Sequence, residues 1–99
     1  METKINILIA DDHQMFVDGL KRLLLTRQEF HIVGEAYTGD GAITLLEQNQ
    51  VDILILDINM PGLDGMEVTR IVSKRFPEVK ILILSMYTEN DFATELLEQ

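Results

Sequence analysis

Three aspartates and one serine stand where their side chains could do chemistry. Asp11 and Asp12 close the run Ile7-Leu8-Ile9-Ala10, and Asp57 closes Ile53-Leu54-Ile55-Leu56. Ser85 follows Ile81-Leu82-Ile83-Leu84. Runs this apolar on consecutive residues read as strands buried on both faces, as in a parallel sheet. Each polar residue then sits at a strand's C-terminal tip, where open α/β sheets place their ligands. With strand order 2-1-3-4 the first and third strands are neighbours, and the three carboxylates converge. Two unit charges 4 Å apart repel by about 4 kcal/mol at an effective dielectric of about 20. Such a cluster takes up protons or binds a cation. A site with only oxygen ligands, completed by water, suits Mg²⁺ best, with Mn²⁺ close behind. The Ser85 hydroxyl could donate a hydrogen bond to an anion held there. Helix capping would account for Asp12 alone, but not for a carboxylate that directly ends the most apolar strand.

The elements that must position these residues alternate. Lys4 to Ala10 is a predicted strand. A helix follows from Asp12, with Phe16, Leu20, Leu23 and Leu24 as its apolar stripe; Gly19 inside it suggests close packing. Phe30 to Ala36 reads as a second strand. Gly39-Asp40-Gly41 breaks the chain, and Asp40 is placed to cap a helix carrying Ala42, Ile43, Leu45 and Leu46. Asp52 to Asp57 is the third strand. Asp64 and Glu67 resemble a capping box for a helix with Val68, Ile71 and Val72 inward, which Phe76-Pro77 stops. Val79 to Ser85 is the fourth strand. Thr88 and Asp91 precede a last helix with Phe92, Ala93, Leu96 and Leu97 on one face. The order β-α-β-α-β-α-β-α predicts right-handed crossovers and a doubly wound parallel sheet covered on both faces.

Ninety-nine residues make one domain, residues 1–99. The net charge of −9 argues against this chain gripping a phosphate backbone and agrees with carboxylates gathered around a cation. There is no cysteine, hence no disulfide or thiol chemistry. No apolar stretch is long enough to span a membrane and no secretory signal is evident, so the cytoplasm is the expected location. His13 reads as a first-turn helix residue, His31 as a strand-surface residue and Met60 as a residue that shapes its loop.

The chain resembles the receiver domain of two-component response regulators. The resemblance rests on Ile7-Leu8-Ile9-Ala10-Asp11-Asp12-His13, on Leu54-Ile55-Leu56-Asp57-Ile58-Asn59-Met60-Pro61-Gly62-Leu63-Asp64-Gly65 and on Ile81-Leu82-Ile83-Leu84-Ser85. Asp11-Asp12-His13 with Gly19-Leu20 is similar to the subfamily whose regulators carry a helix-turn-helix DNA-binding output domain. The resemblance implies a flavodoxin-like fold and a set of roles. Asp57 would accept a phosphoryl group from a sensor histidine kinase. Asp11, Asp12 and Asp57, with the Asn59 backbone carbonyl, would hold Mg²⁺, Asp12 through water. Ser85 would be the hydroxyl that moves to the phosphoryl group, and Asn59 and Tyr87 would flank it. Such a domain is a signalling phosphoacceptor rather than an enzyme; at most it catalyses its own phosphotransfer and dephosphorylation. The output domain, not this chain, would bind DNA.

The family pattern continues past Gln99 with a fifth strand and helix, roughly 20–25 residues. The family's lysine and its aromatic switch residue belong to that fifth strand. Without it, Val79 to Ser85 is an apolar edge strand with Lys80 as its one charge, which predicts self-association across that edge. Two other functions compete. One is a dimerising module that is not phosphorylated. The other is a hydrolase passing through an aspartyl-phosphate, which would need an acid where Asn59 stands.

Overall fold

In the computed structural model, which describes residues 4–58 and 64–84, the sheet is built as the apolar runs require. β1 (Ile5–Ala10), β2 (Phe30–Ala36), β3 (Ile53–Asp57) and β4 (Lys80–Leu84) form one parallel sheet in the order β2-β1-β3-β4. Helices α1 (Gln14–Leu24), α2 (Gly39–Gln48) and α3 (Gly65–Arg75) are the crossovers. This is the expected doubly wound, flavodoxin-like arrangement with order 2-1-3-4. The helix expected from Thr88 onward lies outside the described residues. No helix among the described residues is long and apolar enough to cross a membrane.

Strand alternation sorts the core into two layers. Leu8, Ala10, Leu54 and Leu56 pack on one face against Ala42 and Leu46 of α2 and Val68 and Val72 of α3. Ile7, Ile9 and Ile55 pack on the other against Val17 of α1. Apolar side chains buried this deeply contribute roughly 1.5–3 kcal/mol each, so β1 and β3 anchor the domain. Asp52 ties the strands together at their N-terminal ends. Its Oδ2 accepts from Asn6 N–H (2.8 Å) and its carbonyl accepts from Lys80 N–H (2.9 Å).

Three local expectations change. The inward face of α1 is Val17, Leu20 and Leu24; Phe16 and Leu23 are exposed, on a neighbouring stripe that the i, i+4 pattern did not separate. Gly39-Asp40-Gly41 is the first turn of α2 rather than a break. Thr38, not Asp40, is the N-cap: its backbone is extended and its Oγ1 accepts from Gly41 N–H at 3.0 Å. Gly19 is not closely packed, since a Cβ there would meet nothing within 4 Å. Asp64 does cap α3, accepting from Met66 N–H at 2.9 Å, and the helix ends at Phe76 as expected.

The open surroundings of Gly19 yield a direct prediction. Gly19→Ala should stabilise the chain by about 0.5–1 kcal/mol, because alanine loses less backbone freedom on folding. The measurement is the urea midpoint at unchanged slope. A lower midpoint would mean that a neighbour does occupy the space beside Gly19.

Candidate functional site

The same alternation that builds the core aims the carboxylates. Ile7 and Ile9 face α1, so Asp11 continues on that side; Ile53 and Ile55 face α1, so Asp57 does too. Ala10 is paired with Leu56, so Asp11 and Asp57 are one step beyond the last rung of the β1–β3 ladder. Asp11 N–H still donates to the Ala36 carbonyl (2.9 Å), which holds the tip of β1 to β2. Both side chains are almost fully buried, at 1% exposure, whereas Asp12 is exposed. Asp11, Asp12, His13 and Asp57 each bring a potential ligand atom to within 4.8 Å of the others. Three carboxylates on two adjacent strand tips fit a hard divalent cation by the chemistry of their donors. Ser85, Asn59 and Tyr87 lie outside the described residues.

His13 is placed differently from expectation. It is the N-cap of α1, not a residue of its first turn, and its ring turns into the acidic cluster. Nδ1 lies 2.8 Å from Asp11 Oδ1, 3.2 Å from Asp12 Oδ1 and 3.2 Å from Asp57 Oδ2. The hydrogen bond to Asp11 raises the imidazole's pKa above its usual 6.5; desolvation opposes this, and the charges of Asp11, Asp12 and Asp57 add to it. The sequence signal was the adjacency of a basic residue to Asp11-Asp12. Helical reading hid it, because the ring is aimed by the turn before the helix. His31 is an exposed residue of β2, as expected.

Two contacts hold the C-terminal end of β3 in place. Ile58 N–H donates to the Leu84 carbonyl at 3.3 Å, extending the β3–β4 ladder past Asp57. Gly65 opens α3 directly against Ile58: a Cβ on Gly65 would fall 2.5 Å from Ile58 Cα. Only glycine allows the helix to start so close to the strand tip. Away from the centre, Lys21 Nζ lies 2.6 Å from Glu35 Oε1 and the Tyr37 hydroxyl donates to Glu35 Oε2 at 2.9 Å, pinning α1 to β2.

Fold and centre together define a doubly wound α/β domain with an acidic cluster at its topological switch point. The chain belongs to the response regulator receiver domain family, whose model matches residues 7–99. It is 41% identical over 97 residues to the transcriptional regulatory protein DegU of Brevibacillus brevis, covering 98% of this chain and 41% of that protein. Among solved structures it is similar to the RcsB response regulator of Salmonella typhimurium, described for its conformational dynamism in DNA interaction (TM-score 0.84, 27% identity, 97% of this chain and 50% of that one). It is also similar to the non-phosphorylated receiver domain of the stress response regulator RcsB from Escherichia coli (TM-score 0.82, 27% identity, 97% of this chain and 76% of that one). The chain spans less than half the length of the curated relatives it matches.

Gly65→Ala tests the packing around Asp57. The methyl group must displace Ile58 backbone, so the variant should lose roughly 1–3 kcal/mol of stability, with amide shifts concentrated at Asp57 and Ile58. A urea midpoint equal to that of the parent would show that the strand tip yields freely.

Proposed function

We propose that residues 1–99 are the phosphoacceptor unit of a two-component response regulator, with Asp57 as the residue phosphorylated. The observation that carries this reading is a buried carboxylate at the tip of a central strand, flanked by the Asp11 carboxylate and capped by a basic ring. The Asp57 oxygen attacks the phosphorus of a sensor kinase's phosphohistidine; the P–N bond breaks and an acyl phosphate forms. Asp11, Asp12 and Asp57, with the Asn59 carbonyl, would hold Mg²⁺. When bound, the ion supplies positive charge next to the phosphoryl oxygens. The Ser85 hydroxyl donates to the phosphoryl group and draws its loop with it, a local change with a distant readout. These assignments for Asn59 and Ser85 rest on the family motif. The domain works in the cytoplasm, and the signal reaches transcription through an output domain that binds DNA, as the RcsB relative's DNA interaction suggests.

The test is incubation with Mg²⁺ and a small-molecule phosphodonor, followed by intact mass measurement. One added phosphoryl group is expected, absent in Asp57→Asn and without Mg²⁺. A mass gain that persists in Asp57→Asn would place the acceptor elsewhere.

We also propose that the chain self-associates. Among the described residues β4 pairs with β3 alone, and Leu82 and Ile83 are 53% and 39% exposed. An apolar edge of this kind pairs with other chains, so the 99-residue chain should self-associate through β4. Light scattering across a concentration series checks this, and Leu82→Lys should weaken the association. A monomer at every concentration would refute it.

A further inference from the structure

His13 takes no part in the chemistry above, yet its ring lies within the acidic centre. One nitrogen, Nδ1, is 2.8–3.2 Å from an oxygen of each of the three carboxylates. The Asp11 and Asp57 side chains are 1% exposed and the His13 side chain 42%. The ring therefore covers the carboxylates from the solvent side, the side from which an ion arrives. We propose that the His13 ring occupies the cation position of this centre, and that a divalent ion binds by displacing it. The inference rests on reading the centre as a Mg²⁺ site.

Three observations support it. The first is space. Mg²⁺ holds its oxygen ligands at about 2.0–2.1 Å, closer than the ring holds the same atoms. An ion bonded to these oxygens from the open side stands where Nδ1 now stands. The second is ligand chemistry. The ring must join the ion's shell or leave it, and a hard ion that prefers oxygen gives it little reason to join; imidazole suits zinc, copper and nickel. The third is the ease of leaving. His13 N–H donates to Asp11 Oδ1 at 2.8 Å, so the backbone is held by a bond of its own. The ring can swing out about its side-chain bonds into solvent while β1 and α1 stay in place.

The device has a consequence for the centre without metal. Three converging carboxylates repel one another; the ring offsets that repulsion and lowers ion affinity by what its own contacts are worth. Contacts of a partly exposed side chain are individually weak, so the effect amounts to roughly a three- to tenfold change in Mg²⁺ affinity.

The experiment is a Mg²⁺ titration of the 99-residue chain, of His13→Ala and of His13→Ser, at one pH and ionic strength, followed through the amide shifts of Asp11, Asp12 and Asp57. Serine is included because it is a good helix N-cap and alanine a poor one, which separates loss of the ring from a loosened α1. Both variants should bind Mg²⁺ about three- to tenfold more tightly. In the parent chain the His13 ring signals should move on adding Mg²⁺ while those of His31 stay. Equal affinities with an unmoved His13 ring would overturn the proposal while leaving the metal site intact. Weaker binding in both variants would also overturn it, making the imidazole a partner of the ion. Mg²⁺ that perturbs none of the three aspartates in any of the proteins would overturn the metal reading and this inference together.

Discussion

Mutual repulsion among Asp11, Asp12 and Asp57 is the constraint around which the rest of this domain is arranged. Two of the three are buried, where a charge without compensation is costly. They stay together because they end the two most buried strands, and those strands cannot separate without opening the core. The cost falls on a sheet that can bear it: Leu8, Ile9, Leu54 and Leu56 are almost wholly excluded from water. Local compensation comes from the His13 ring, set in place by the turn that links β1 to α1.

The two ends of the sheet divide the labour. At the N-terminal end a single aspartate, Asp52, is satisfied by backbone groups and stitches three strands together. At the C-terminal end Asp11, Asp12 and Asp57 gather around the His13 ring, and Asp11 also accepts from the His13 backbone N–H. That asymmetry is intrinsic to parallel sheets, whose strand tips and following loops all gather on one side. The same residue type ties strands together at one end of β3 and joins an acidic cluster at the other, five residues apart.

The centre is also wired to a surface. Ile58, directly after Asp57, donates to the carbonyl of Leu84, directly before Ser85. The tips of β3 and β4 are therefore joined by one backbone bond beyond Asp57. β4 is the strand with the most exposed apolar side chains of the sheet. Gly65 keeps the other side of Ile58 tight by seating α3 against it.

Much of this was legible in the residues alone. Apolar runs of four or five residues ending in aspartate revealed the strands, their burial and the polar tips, because strand burial and tip chemistry are local patterns. The order of elements was enough for a doubly wound sheet, since crossover handedness leaves few alternatives. What the sequence could not decide was geometry across elements. Which stripe of α1 faces the core depended on how the helix docks, and Val17 replaced Phe16 and Leu23. Whether Thr38 or Asp40 caps α2 depended on where the extended backbone ends. The room beside Gly19 and the contact at Gly65 are facts about neighbours distant in the chain. So is the placement of His13: its identity and its adjacency to Asp11 are in the sequence, but only the packing of β1 against β3 brings Asp57 to the same ring. Local pattern determines what each element is; three-dimensional contact decides which charges must share one space.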